Sequence, residues 1–157
     1  MTTIASIKAD ILSALTEDSI FVNFCLDTFS TRPSLYDDYD EENPPASSSY
    51  PIIVLFSVNK VSAQAPGTEL FNAYLGVGVH DVSGPVVDAE KRLTTMPGRA
   101  TCEDFVEAIL NALYRKFKGV TTVDVLGQEQ SSFGEFFMDA LQVSIKLPVN
   151  RRSPIRI

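Results

Sequence analysis

The chain has no tryptophan, two cysteines and one histidine. Each shortage narrows the functions open to it. With His80 as the sole imidazole, a histidine-based triad or a histidine-rich metal site would have to be built around that one residue. Two cysteines, Cys25 and Cys102, are too few for the disulfide framework that holds small secreted domains together. Both lie in apolar, helix-like surroundings and read as a reduced, buried pair. Bases are scarce as well: 13 Lys and Arg stand against 20 Asp and Glu, for a net charge of −7. A protein that grips a DNA duplex needs a dense basic face. This balance argues against tight DNA binding and leaves room only for passive contact. No apolar run approaches the roughly 18 residues that span a bilayer. The opening MTTIASIKAD lacks the charged-then-apolar layout of a signal peptide. The expectation is a soluble protein made in a cytoplasm.

The material for a core is ample. Of 157 residues, 45% are hydrophobic, with ten Phe and five Tyr, enough for one domain with a real interior. Residues 3–15 place Ile4, Ile7, Ile11, Ala14 and Leu15 on one helical face, with Thr2 or Thr3 as cap. Residues 19–29 fit helix and strand templates equally. Residues 30–51, STRPSLYDDYDEENPPASSSYP, read as a long loop: tandem prolines, a serine triplet and an acid run do not build a core. IIVLFSV, at 52–58, reads as a strand covered on both faces. Residues 70–82 alternate as a long half-buried strand, and Gly76 and Gly78 on its second face leave room for a neighbour to approach. Residues 83–100 read as irregular, with a short helix over 86–93. The strongest helix signal spans 101–118. There Thr101 and Asp104 match a capping pattern, and Phe105, Ile109, Leu113 and Phe117 form a stripe widened by Val106, Leu110 and Ala112. Gly119 stands where a left-handed cap is wanted. Strands follow at 120–126 and 136–147. The second presents Phe137, Leu141, Val143, Ile145 and Leu147 on one face and ends at Pro148. The fold class is α+β: a small mixed or antiparallel sheet of about four strands, with two helices packed on one face. Residues 1–150 form the domain, and 151–157, RRSPIRI, form a basic tail.

No catalytic constellation, cofactor motif or metal site stands out. His80 reads as an ordinary surface or cross-strand histidine. Cys102 would sit near a helix N-terminus, where the dipole lowers a thiol pKa, but Glu103 and Asp104 follow and oppose a thiolate. GVGVHD puts its glycines inside a strand, not in a phosphate-binding turn. DDYDEE lacks the glycine and the terminal glutamate of a calcium loop. What remains is an uneven charge distribution. Asp37, Asp38, Asp40, Glu41 and Glu42 form one acidic run, and Arg151, Arg152 and Arg156 gather in the tail. Both are candidate interaction elements, although a frayed, solvated end also accounts for the tail.

The order of elements resembles the bacteriophage tail terminator (tail completion) proteins. The resemblance lies in an N-terminal helix (IKADILSAL), a strand entered through YPIIVLFSV, a long second strand (LFNAYLGVGVHDV), a central amphipathic helix (TCEDFVEAILNALYRKF) and a final hairpin (VTTVDVLG with FFMDALQVSIKL). It covers roughly residues 4–147 and is one of order, length and pattern. The loop at 30–51 is longer than that pattern asks for. The resemblance implies a structural virion protein without catalytic residues or cofactor. Such a protein is assembled in the host cytoplasm and placed at the head-proximal end of the tail. It would form a homo-hexameric ring on the tail tube protein, end polymerisation and offer a surface to the head–tail connector or neck proteins, with DNA only passing through the lumen. In that setting the tail arginines would fork onto acids of a neighbour. A head-side neck or connector ring is the alternative role, and a small enzyme using His80 or Cys102 the alternative class.

Overall fold

The computed structural model describes residues 2–61, 67–119 and 121–148. The first two helices are a pair. α1, Ile4–Glu17, is opened by a capping box in which Thr3 Oγ1 accepts from the Ser6 N–H and Ser6 Oγ accepts from the Thr3 N–H, both at 3.1 Å. It buries Ile7, Ile11, Ala14 and Leu15 of the expected face, whereas Ile4, its first residue, is exposed. α2, Ser19–Phe29, resolves the ambiguous segment as a helix. Asp18 ends α1 and caps α2, its carboxylate accepting from the Phe21 N–H at 2.9 Å. A side-chain acceptor on an otherwise orphaned N–H lets a second helix start immediately after the first.

The 30–51 segment is not wholly a loop. β1, Ser34–Asp37, runs parallel to β2, Ile52–Val61, and a short 3₁₀ turn occupies Ser47–Ser49. β2 pairs antiparallel with β3, Thr68–His80. Residues 52–55 of β2 are buried throughout, as expected for a strand covered on both faces, but Phe56 is exposed. The expected helix over 86–93 is instead a small separate hairpin, β4 (Val86–Asp88) with β5 (Leu93–Thr95). VVDAEKRL carries the 3.6-residue spacing of a helix, but only a two-stranded ribbon connects it to its neighbours. α3, Pro97–Lys116, starts four residues before the expected Thr101. Pro97 supplies a preset helical φ at the first turn, and Thr101 Oγ1 bonds back to the Pro97 carbonyl at 3.1 Å instead of capping. Gly119 takes the left-handed conformation, φ +106°, two residues past the cap residue Phe117. The last two strands, β6 (Thr122–Phe133) and β7 (Phe136–Pro148), form a long hairpin.

The main sheet has order β1-β2-β3-β7-β6, mixed because β1 is parallel and every other pair antiparallel. The expected α+β class stands, with five strands in place of four, three helices in place of two, and the extra hairpin, all counted among the described residues. Strand periodicity settles which face the helices cover. Phe71, Ala73, Leu75, Val77 and Val79 of β3 face the same way as Phe137, Leu141, Val143 and Ile145 of β7, and all are buried. α3 lies on these two strands, burying Cys102, Phe105, Val106, Ile109, Ala112 and Leu113. α1 and α2 pack on α3 in turn. Phe105 stacks on Phe21 at 6.1 Å and meets the edge of Phe29 at 5.1 Å. At about 25 cal/mol per Å² of buried apolar surface, this stripe supplies several kcal/mol, well beyond what the caps contribute.

Two substitutions test this packing. Leu113 is fully buried in the core cluster, so Leu113→Ala should cost about 2–5 kcal/mol in urea unfolding. An unchanged midpoint would mean that the stripe does not face the sheet. Gly98 lies in the first turns of α3, where an added Cβ would run into the Phe137 ring. Alanine is normally better than glycine in a helix by about 1 kcal/mol. Here Gly98→Ala should instead destabilise, by about 1–3 kcal/mol, because the buried ring has to shift.

Candidate functional site

The sheet face opposite the helices carries the even-numbered side chains of β3. No helix covers it. Gly76 and Gly78 sit there, and aromatic rings fill the space they leave: a Cβ on Gly76 would lie 2.6 Å from Phe56 and one on Gly78 2.8 Å from Tyr50. The expected close neighbours are thus side chains of β2 and of the segment just before it. The register places Asn59, Asn72, Ser144 and Asp124 in one polar row across four strands. The Asn72 Oδ1 is buried and finds no donor among the described residues. Beside this row lies a shallow groove of about 800 Å³, lined by Phe56, Asn59, Tyr74, Ala140, Gln142 and Glu129, among others. His80 closes one end of the face. Its Nε2 is 3.0 Å from Glu135 Oε2, and its ring packs against Phe136 and Tyr50. It is a cross-strand histidine held by a carboxylate and two rings.

Sequence reasoning passed over Asp139. It occupies a core-facing position of β7, between Phe137 and Leu141, and is 2% exposed. Arg99 Nη1 donates to it at 3.1 Å and Gln128 Nε2 at 3.3 Å. The same guanidinium donates to the Ser131 carbonyl and lies over the Phe137 ring. Arg99 therefore ties the start of α3 to both strands of the β6–β7 hairpin. Burial raises the Asp139 pKa, and the Arg99 charge partly offsets that rise. Cys102 adjoins the network, with Sγ 3.5 Å from the Phe137 carbonyl and 4.0 Å from Asp139 Oδ2. Burial, reinforced by the Asp139 charge, pushes its thiol up to about 12, and burial alone does the same to Cys25. Both are buried free thiols on helices, not poised nucleophiles. A break in the β7 alternation, an acid where an apolar residue was due, is the one signal of this site that the sequence carries.

The acidic run does not converge on one point. Asp37, at the end of β1, pairs with Lys8 of α1 at 3.0 Å. Asp38, at φ +80°, accepts from the Tyr39 N–H at 2.8 Å. Asp40 accepts from Asn43 Nδ2 at 2.9 Å and from the Glu42 N–H at 3.0 Å, and the Asn43 bond foremost holds its carboxyl below the ordinary value. Glu41 and Glu42 are exposed. The run is a self-bonded turn leaning over β2, where Tyr39 meets Phe56 at 5.9 Å. Arg151, Arg152 and Arg156 lie outside the described residues. Among the described residues, no group of three or more His, Cys, Asp or Glu is placed to hold a metal ion, and no helix is long and apolar enough to cross a membrane.

Two elements the sequence reading did not single out carry exposed apolar side chains. One is the β4–β5 hairpin, with Val86, Val87 and Leu93. The other is β6 and its turn, with Val125, Leu126 and Phe133. Among the described residues β6 is an edge strand, paired only with β7. From 119 to 135 the chain has three acids and no Lys or Arg. Compared with known families and with curated proteins, the chain matches no family model and no curated sequence.

The Arg99–Asp139 pair gives a pH-dependent prediction. The folded pKa of Asp139 lies above its unfolded value, so folding favours the protonated form, and the site's contribution to stability falls as pH rises through that window. Arg99→Ala should cost about 3 kcal/mol near neutral pH, the low end for stripping one partner from a buried pair, because Gln128 still donates. Losing the guanidinium raises the Asp139 pKa further, so the deficit should shrink between about pH 7.5 and about pH 5. Chemical denaturation at the two values measures it. A deficit independent of pH would remove the buried charge from the explanation.

Proposed function

We propose that the chain is a structural, self-assembling virion protein: a six-membered ring that caps a phage tail tube, ends its growth and presents a docking surface to the head. The observation that carries the reading is the placement of the exposed apolar side chains. Val86, Val87, Leu93, Leu126 and Phe133 sit on a free-standing hairpin and on an unpaired sheet edge. Exposed apolar groups collected on unpartnered elements are the mark of a protein–protein surface. Three ionisable groups support the same reading, for they are tied into structural contacts: Asp139 with Arg99, Cys102 with a strand carbonyl, His80 with Glu135. Order and pattern of the elements add the resemblance to tail terminators. In a ring, the base-free stretch 119–135 would repel phosphates wherever it faced the lumen, so that DNA passes without sticking. The tail tube protein lies on one side of such a ring and the head–tail connector or neck proteins on the other.

The test is direct. Purified protein at high concentration, or added to cognate tail tubes that lack a cap, should give rings with six-fold symmetry in negative stain, and capped tubes should stop elongating. Dilute protein is expected to sediment as a monomer where ring closure awaits the tube as template. Closed dimers alone under all of these conditions would overturn the reading, and binding to portal complexes in preference to tubes would move the ring to the head side.

A further inference from the structure

The β4–β5 hairpin and the β6 edge are each incomplete, in complementary ways. The hairpin has three residues per strand, all six exposed, and makes no substantial packing contact with the rest of the described residues. A lone two-stranded ribbon is marginal in water, and stability requires a third strand or a packed face. Val86 and Val87 are consecutive, so they point to opposite faces of the ribbon, and they are 55% and 64% exposed; Leu93 is 50% exposed. Neither face of the hairpin is satisfied by its own chain. β6 has the converse shortage. Over its twelve residues only one side of the backbone ladder is used among the described residues, by β7. It presents Leu126 at 56% and Phe133 at 82% exposure. A long edge without Lys or Pro invites another strand.

Charge gives the match a direction. The hairpin turn carries Lys91 and Arg92, and among the described residues neither is in an ion pair. Along β6, Asp124 and Glu129 are likewise unpaired among the described residues, with no base from 119 to 135. Within one chain, Thr95 at the base of the hairpin and Ser132 of β6 line one cleft without pairing.

We propose that the β4–β5 hairpin of one copy docks along the free β6 edge of a second copy, with Lys91 and Arg92 facing Asp124 and Glu129. This rests on the self-assembly reading above and supplies its contact. Because the two surfaces differ, the contact is heterologous, and repetition leads to a closed ring or an open filament, not to a two-fold dimer.

Charge reversal tests the pairing in the full-length chain. Lys91→Glu with Arg92→Glu, and separately Asp124→Lys with Glu129→Lys, should each weaken association about tenfold by turning modest attractions into repulsions. The four substitutions together should restore it. All are on exposed residues, and an unchanged melting curve confirms folding. Disulfide trapping locates the contact, since the two native thiols are buried. Mixing Thr94→Cys protein with Ser131→Cys protein should give a mixed dimer in far higher yield than either alone.

The outcomes separate the two claims. If the parent forms rings but both reversals assemble as well as it does, the hairpin–edge contact is wrong and the ring stands. Homodimers linked 94–94 or 131–131 alone, or a cross-link within one chain carrying both cysteines, also overturn the contact. Loss of tube binding in the Lys91→Glu, Arg92→Glu protein with self-association intact would assign the hairpin to a foreign partner and overturn the second-copy assignment. A parent that stays monomeric at every concentration and on tubes overturns both claims.

Discussion

The architecture depends on α3 lying flat on β3 and β7. This helix has two working sides. Phe105, Ile109 and Leu113 bury against the sheet, while α1 and α2 reach the rest of the molecule chiefly through it. Geometry sets the terms of the contact. Close approach near the start of α3 requires Gly98, because the Phe137 ring occupies the place of a side chain there. At the other end, Arg115 forks onto Asp18 with bonds of 2.8 and 2.9 Å, and that bond foremost holds the Asp18 carboxyl below its ordinary range. Asp18 is also the cap of α2. One carboxylate thus starts a helix and pins it to the last turn of another, so α2 is aligned by a residue 97 positions away.

The helices cover the sheet on one side only, and on the other the shielded part is the start of β2, where Ile52 and Val54 are buried. An antiparallel sheet tolerates one open face if that face is polar or small. The Asn59–Asn72–Ser144–Asp124 row and the two glycines meet that condition. The helices also stop short of β6: its side chains are exposed except Val123, and Gln128 and Gln130 reach back to Asp139 and Glu103. β6 is therefore held to the body by its ladder with β7 and by a few polar contacts, Arg99 to the Ser131 carbonyl among them, and projects its remaining surface outward. Rigid attachment with outward presentation is what an assembly surface requires.

How far the fold was legible follows from where each signal resides. α3, β3 and β7 carry their own periodicity, because one face of each meets a single apolar layer. The 19–29 segment did not, since SIFVNFCLDTF is apolar nearly all round; its Asp18 cap is local, but the Arg115 fork that holds that cap in place is tertiary. β6 was read to residue 126, where GQEQSSF begins. That half has no strand propensity to speak of and is held by its ladder with β7 alone. The spacing of VVDAEKRL predicts a helix over 86–93, where the chain instead forms the β4–β5 hairpin, whose exposed strands have no buried face to set the period. Of the candidate site, the acid run was legible as charge and not as geometry: three of its carboxylates are spent on Lys8 and on the turn itself. Arg99 and Asp139, 40 residues apart, carried no joint signal beyond one misplaced acid.

The two edges of the main sheet are treated differently, and this asymmetry bears on assembly. β1 ends the sheet with four residues, in parallel pairing, beside the self-bonded acidic turn. Short, charged edges are how sheets avoid unwanted partners. β6 ends it with twelve residues, interrupted by a bulge between Val125 and Gly127. A bulge twists the local edge and limits how many residues a neighbour can pair with. It does not close the edge, and no lysine or proline protects it. A sheet open at both ends would add copies through like edges without limit. With one end blocked and the other open, growth needs a second, different donor element, and the only unpartnered ribbon among the described residues is the β4–β5 hairpin. Pairing unlike surfaces consumes one edge and one hairpin per copy, so a closed ring leaves neither exposed. That is the property a protein needs if it is to stop a polymer and not extend it.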